Sequence, residues 1–414
     1  MAHYNPCDTQ SQRYAPWQPA VMPHLPYQHW QALNQDTAFF CDLHADAPAF
    51  LRSLKQAQLV SQASQELNLQ LTAQGSKTRI IIGGDCFDKG PSTLALLRMI
   101  NHLIKLKPDT VLLAGNHDIR FLAGLLALKK IHDPLQGHFF ARMGKKAISL
   151  LAEIYQEKGE HPNPVHKAYF VDEYWRKSFK TSAKTKLPKQ LISREIQQLD
   201  LKQRSMKKAW LKRFDHCQQL DHAISWAHDL FIKPDGEFYP FFRKLKLLHI
   251  EGSYLFSHAG IDDTLANLIH QGQLAQINLV FQQKLHQAQL FDIYYGALGN
   301  AFRTKYRAYD WPFSAKGAQQ LKAKHIFALV NGHRHHLNGQ QLLVRNGLLN
   351  FECDTQLNCH CRAKDNMQSP GWSVTIFHQD GSVSAQSSDH AHLKLFQPYN
   401  WIDYHGQNNT YLRA

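Results

Sequence analysis

Three things are scarce in this sequence, and each shortage narrows what the chain does. No run is apolar for the roughly 20 residues that a membrane helix needs. The opening residues, MAHYNPCDTQSQRYAPWQP, lack the apolar core of a secretory signal. The expectation is a cytoplasmic protein with no membrane contact. Cysteine is sparse and odd in number, seven in all. Several cysteines stand in predicted strands or beside motifs, which argues against a secreted disulfide framework. Their one cluster, CDTQLNCHC, brings Cys353, Cys359 and Cys361 together in sequence; a structural zinc site there needs a fourth ligand such as His360. Acids are the third shortage: 33 Asp and Glu stand against 47 Lys and Arg, for a formal charge of +14.

That excess is concentrated. Residues 176–213 carry thirteen Lys or Arg against only Glu195 and Asp200. A basic run of this kind suits contact with a polyanion, nucleic acid or another. The segment has few aromatic side chains for bases to stack on, and a solvated helical face accounts for it equally well.

What is present is enough apolar material, 43% of 414 residues, for one large domain or two small ones. Residues 1–36, rich in Pro and Gln, read as an irregular arm. TAFFCDLHADAPAFLRSLKQA then reads as strand, tight turn and helix. A strand at 78–84 with a helix over about 91–107 repeats the pattern, and DTVLLAGNHDIRFLAGLLALKK does so again. Strand–turn–helix in series predicts βαβ units and a mostly parallel sheet covered by helices. Residues 119–250 lose the strand signal, and amphipathic stretches such as FFARMGKKAISLLAEIYQEK predict a helical insertion or cap. Strands return at SYLFSHAGI, HIFALVNGHRHH, QLLVRNGLLNFECD and GWSVTIFHQDGSV, with an antiparallel hairpin around Asp380–Gly381. The expected division is therefore a domain made of 37–118 and 251–390, an insertion at 119–250 and a tail at 391–414. There is no internal repeat.

The stretch RIIIGGDCFDKGP, residues 79–91, joins a strand buried on both faces to a glycine turn carrying two acids. Asp88 precedes a helical run and suits a helix cap, which leaves Asp85 unexplained. The other strand ends supply a reason. The first ends in Asp42-Leu43-His44, the third in Gly115-Asn116-His117-Asp118, the fourth in His258-Ala259-Gly260 and the fifth in Gly332-His333-Arg334-His335. In an open α/β sheet ligands gather at the carboxyl ends of the strands. Imidazoles and carboxylates without thiolates suit manganese, iron, zinc or nickel better than calcium or magnesium. Seven such groups are too many for one ion and suit two ions that share a carboxylate, for which Asp85 is placed.

The series D-x-H, GD-x-x-D, GNHD, H-A-G and GH-x-H resembles the calcineurin-like metallophosphoesterase superfamily. DCFDKGPSTLALL, GNHDIRFLA and SHAGI are most similar to its branch of serine/threonine phosphoprotein phosphatases and symmetrical diadenosine tetraphosphatases, and the Asp-Thr of ECDT (Glu352 to Thr355) resembles a pair that branch carries near its end. The resemblance covers roughly 37–120 and 252–356. It implies an α/β fold, an αββα sandwich of two mixed β-sheets flanked by helices, here with a helical insertion. It also implies two divalent ions: Asp42, His44 and His335 hold the first, Asn116, His258 and His333 the second, and Asp85 bridges them. Manganese is the expected metal, with iron, zinc, nickel and cobalt as alternatives. His117 becomes the proton donor to the leaving oxygen, and Asp88 orients it and holds it protonated. Two metals make a hydroxide from water near neutral pH and neutralise the phosphoryl oxygens for in-line attack.

The chain departs from the branch at two residues: Cys41 stands where Gly is usual, and Lys89 where Arg is. Lysine is a point charge and not a bidentate fork, so Lys89 would grip phosphate differently. Arg303 and Arg307 are candidates to compensate, with a surface helix face as the equal reading, and Arg120 and Arg334 lie close to the metal motifs in sequence. The long stretch between GNHD and SHAGI reshapes the mouth of the site. The expected substrates are phosphorylated small molecules, nucleotides or proteins, with a polyanion contact through 176–213. A nuclease, or a basic nucleic-acid- or partner-binding protein on the same fold, is the alternative.

Overall fold

In the strand RIII, alternate side chains face opposite ways, and both faces are apolar. This one tetrapeptide therefore has to be covered twice. The computed structural model, which describes residues 30–396, shows how. Ile81 packs with Phe39, Val111, Leu113, Tyr254, Phe256 and Val330 in a layer between two sheets, while Ile80 and Ile82 join Ala38, Phe40, Leu94, Leu97 and Ile100 beneath helices. The period of two in the sequence is thus a division between two cores.

The strands, in chain order, are β1 (Thr37–Phe40), β2 (Arg79–Ile82), β3 (Val111–Leu113), β4 (Leu245–Lys246), β5 (Leu248–Glu251), β6 (Tyr254–Ser257), β7 (Ala328–Asn331), β8 (Gln341–Arg345), β9 (Leu348–Glu352), β10 (Ser373–Phe377), β11 (Val383–Ser387) and β12 (His390–Phe396). One sheet has the order β12-β11-β10-β1-β2-β3-β4, the other β5-β6-β7-β9-β8. The run β1-β2-β3-β4 is parallel, as is β6-β7-β9, and the outer strands pair antiparallel. Aromatic rings lock the sheets face to face: Phe39 lies 5.9 Å from Phe256, and Tyr254 4.8 Å from Phe377. The result is the expected sandwich of two mixed sheets flanked by helices.

Several details differ from the sequence reading. FFARMGKKAISLLAEIYQEK is two helices, Phe139–Met143 and Lys145–Lys158, because Gly144 takes φ 67° between them. QLLVRNGLLNFE is a hairpin, β8 and β9, turning at Asn346 and Gly347, both at positive φ. β4 and β5 lie at the end of the stretch read as strandless; strands this short show no period. The expected hairpin around Asp380–Gly381 is β10–β11. β12 occupies the first part of the tail expected from 391, whereas 397–414 and most of the arm, 1–29, lie outside the described residues.

The helix after β2 explains one acid. Ser92 caps it, its Oγ accepting from the Ala95 amide at 3.0 Å. Asp88 is not the cap and is left for other work.

Candidate metal centre

β1, β2 and β3 of one sheet and β6 and β7 of the other release their chains at one rim of the sandwich. Asp42, Asp85, Asn116, His258 and His333 all follow within three residues of those strand ends. The glycines there are required by crowding. A Cβ on Gly84 would lie 2.6 Å from the Gly115 nitrogen, and one on Gly332 would lie 2.1 Å from Asp42 Oδ2. What approaches the backbone closely is therefore the neighbouring loop. The non-glycine residues take left-handed backbone instead: Asp42 (53°), His44 (45°), Asp85 (55°), Asp88 (67°), Lys89 (72°) and His333 (67°). Such conformations cost energy and persist where the surroundings enforce them.

Asp118 is much of that enforcement. Its buried carboxylate accepts from the amides of Gly115 (2.9 Å), Asp85 (2.9 Å), Cys86 (2.8 Å) and Phe87 (3.2 Å), tying the loop after β2 to the loop after β3. Sequence reading passed over it as the last letter of GNHD, although an acid in a helix's first turn is a capping signal. Two further amides complete the frame: His117 donates to Asp85 Oδ1 (2.7 Å) and His333 to Asp42 Oδ2 (2.8 Å).

The imidazoles are fixed in the tautomer that a ligand needs. His258 Nδ1–H donates to the Gly83 carbonyl at 2.8 Å, and His44 Nδ1–H to that of Phe87 at 3.2 Å. Each Nε2 is thereby left as a lone pair facing the site. His258 Nε2 faces Asn116 Oδ1 at 3.3 Å and Asp85 Oδ1 at 3.5 Å. Three acceptors pointing at one another cannot satisfy each other, and His333 Nε2 is buried with no hydrogen-bond partner among the described residues. This donor set fits a divalent cation. Among the described residues, two groups have ligand atoms within 4.8 Å of one another: Asp85, His258 and His333, and His44, Asp85 and His117. Asp85 belongs to both.

The remaining expected residues are distributed unevenly. Asp42 is buried beside the second group, its Oδ1 3.8 Å from His44 Nε2. His335 is exposed and joins neither group; Arg334 between the two histidines is drawn inward by Glu352 (2.6 Å) and by the carbonyls of Ala259 and Thr304. Lys89 is at the site, but its Nζ lies 2.6 Å from His44 Nε2, on a candidate ligand atom. Arg303 and Arg307 have partners of their own in this structure. Arg303 donates to the Tyr294 carbonyl and lies over that ring, and Arg307 forms a two-pronged pair with Asp310. The three clustered cysteines form no ligand group among the described residues, and His360 instead meets the Lys89 carbonyl at 2.9 Å.

Asp88 is found on the catalytic histidine expected from the sequence. Its Oδ2 lies 2.9 Å from His117 Nδ1 and also pairs with Arg120. The insertion contributes a cation that sequence reading missed: Lys146 Nζ is 3.4 Å from His117 Nε2. It comes from a helix 29 residues further on, and no motif marks it.

Charge at the rim follows from burial and these neighbours. Burial opposes ionisation of Asp85, but the imidazoles of His258 and His44 and the Lys89 ammonium bring it down to about 2. Burial, with the Asp354 and Asp85 carboxylates, raises Asp42 well above its ordinary range. Burial and the Lys89 charge lower His44 to about 3, and burial puts His333 well below its usual value, so both imidazoles are neutral. Burial, Arg120 and Lys146 likewise hold His117 low. Lys146 is itself lowered to about 8 by burial and by Arg120 and Lys89.

Among solved structures, a cold-active protein tyrosine phosphatase is similar over 93% of this chain and 87% of its own, with 12% identity and a TM-score of 0.46. A cold-active protein-tyrosine phosphatase of a psychrophile Shewanella species covers 90% and 85%, with 12% identity and TM-score 0.44. A protein serine/threonine phosphatase from Saccharomyces cerevisiae covers 91% and 84%, with 10% identity and TM-score 0.34. No curated protein sequence matches the chain. The family profile for calcineurin-like phosphoesterase matches residues 37–337, which span all five motif-bearing strands, and the chain belongs to that family of phosphoester hydrolases.

Proposed function

We propose that this protein is a dimetal-dependent phosphoesterase that hydrolyses a phosphate ester or phosphoanhydride with water as the nucleophile, without a covalent enzyme intermediate. The observation that carries the reading is the sharing of Asp85 between two ligand groups. On this reading Asp42, His44 and His335 would hold one cation, Asn116, His258 and His333 would hold the other, and Asp85 would serve both. His335 would turn in from its exposed position, whereas Asp42, His44 and Asp85 are already buried. Manganese suits this set of oxygen and nitrogen donors, and iron, zinc, nickel or cobalt would suit it also. Bound there, two such ions supply hydroxide near neutral pH and shield the phosphoryl oxygens.

The chain's own residues do the rest. His117 lies in the same group as His44 and Asp85, and the reading makes it the acid and not a ligand, with Asp88 and Arg120 at its Nδ1. Its Nε2, beside Lys146 Nζ (3.4 Å) and Asp85 Oδ2 (3.7 Å), is the nitrogen that would protonate the leaving oxygen. The free imidazole is kept neutral by burial and two cations, and a phosphoryl dianion arriving beside Nε2 reverses that field. His117 thus takes up its proton together with substrate. Substrate is a phosphorylated small molecule, nucleotide or protein, and the cytoplasm is the assigned compartment, in keeping with the five free cysteines among the described residues.

The test is a manganese-supplemented panel of phosphopeptide, diadenosine tetraphosphate, aryl phosphate and single-stranded DNA. Asp85→Asn should remove nearly all turnover and lower the bound metal measured by elemental analysis. A variant that keeps two metals and its turnover overturns the shared-carboxylate assignment, and activity on DNA alone favours a nuclease.

A further inference from the structure

Most cations around the rim already have an acid or carbonyl. Arg120 pairs with Asp88, Arg142 with Glu195, Arg307 with Asp310, and Arg334 with Glu352. Lys146 is different. Among the described residues no carboxylate lies within ion-pair distance of it, and its only hydrogen-bonding neighbour is His117 Nε2 at 3.4 Å. The placement is built. Gly144 turns the chain at φ 67°, and the helix Lys145–Lys158 starts immediately, so its first turn carries Lys146 to the rim. That helix is then pinned by Glu153, which accepts from Ser92 Oγ and from the amides of Thr93 (3.1 Å) and Leu94 (3.1 Å). Behind it the long helix Lys189–Trp210 brings Lys202, whose Nζ donates to the Arg142 carbonyl at 3.1 Å. The charges of Lys146 and Arg120 crowd His117 with Lys202 behind them, and two carboxylates face them: Asp88 at Nδ1, and Asp85, whose Oδ2 is 3.7 Å from His117 Nε2 but which the reading gives to the cations. Half-buried cations without a counter-charge cost stability unless an anion completes them.

The side of His117 matters. Nδ1 belongs to Asp88, so Nε2 is the nitrogen that meets the leaving oxygen, and Lys146 stands beside that nitrogen. We propose that Lys146 binds negative charge carried by the leaving group, and so selects substrates whose scissile oxygen leads to a second anionic group, a phosphate above all. In hydrolysis of such a P–O–P bond, the oxygen of water bonds to phosphorus, its proton passing to solvent, and the bridging oxygen departs on the second phosphate with the electron pair. A proton from His117 or the ammonium of Lys146 meets its charge. This assignment rests on the proposed hydrolysis and on His117 facing the leaving oxygen. It gives the insertion a function, since it would supply the selectivity that Lys89, turned onto His44, does not.

The experiment compares Lys146→Met and Lys146→Arg with wild type on inorganic pyrophosphate and on phenyl phosphate, whose leaving group carries no second charge. Lys146→Met should lose roughly 10- to 100-fold in kcat/KM on pyrophosphate, the worth of one charge-assisted hydrogen bond. On phenyl phosphate it should lose only a few-fold, with metal content unchanged, and Lys146→Arg should recover most of the difference. Equal losses on both substrates, or none on pyrophosphate, overturn the assignment. Calorimetric binding of pyrophosphate separates it from the reaction itself. Wild type that hydrolyses neither compound, yet binds pyrophosphate through Lys146, sinks the proposed hydrolysis and leaves this site standing; binding indifferent to Lys146→Met sinks the site.

Discussion

His117 has one nitrogen on Asp88 and Arg120 and the other beside Lys146, and that asymmetry makes its role separable from metal binding. His117→Asn should leave metal content intact and slow turnover by roughly 10²–10⁴, the usual worth of general acid catalysis. The loss should shrink on aryl phosphates, whose leaving groups need less protonation. An equal loss on every substrate, or lost metal, would show that His117 is a ligand and not the acid. Lys89 carries a second prediction at this scale. Its ammonium sits on His44 Nε2 and its field reaches Asp42 and Asp85, so it stands where the first cation's ligands converge. Lys89→Met should tighten manganese binding at the weaker of two sites in a calorimetric titration and leave the stronger site unchanged. Weaker binding in the variant would mean that Lys89 supports the site instead of competing for it.

At the scale of elements, the site is a set of strand ends, and Asp118 holds two of them in register through four backbone amides. Asp118→Ala leaves those amides without an acceptor, at roughly 1–3 kcal/mol for each buried group that water cannot reach. Both the melting temperature and metal affinity should fall together, while Asp118→Asn, which keeps an acceptor oxygen, should lose less of each. Retained metal affinity in Asp118→Ala would show that the loops hold their shape without it. This level was legible in the sequence where an apolar run ended in a motif, as at Ile82-Gly83-Gly84-Asp85. It was illegible where contact came from afar. Lys146 looks like any surface lysine on a helix. Arg303 and Arg307 look like free cations until Tyr294 and Asp310 are folded onto them. His335 matches its motif by spacing, yet the inward turn of Arg334 leaves it exposed. The missed β8–β9 turn was written in the sequence as Asn346-Gly347, a strong hairpin signal.

The whole molecule carries a net charge of +14, and the structure sorts the basic segment 176–213 into used and unused parts. Arg176 pairs with Glu173 and Asp200, Lys186 lies 3.7 Å from Asp292, Arg194 stacks over Tyr309 and Lys207 over Phe170, and Lys202 turns inward to Arg142. Lys180, Lys184, Lys208 and Lys212 are exposed, with no carboxylate in ion-pair range among the described residues. If the segment recruits an extended polyanion, changing these four to Gln should raise KM for a long polyphosphate or a strongly acidic phosphopeptide. It should leave kcat alone, because they lie outside the reacting groups. The effect should fade as salt is added, since screening and counterion release weaken contacts of this kind. Phenyl phosphate, which carries no charge beyond its reacting phosphoryl group, should show no change at any salt. A solvated face predicts no change for any substrate. A salt-independent loss on all substrates would exclude both readings and assign these lysines to the folding of the insertion.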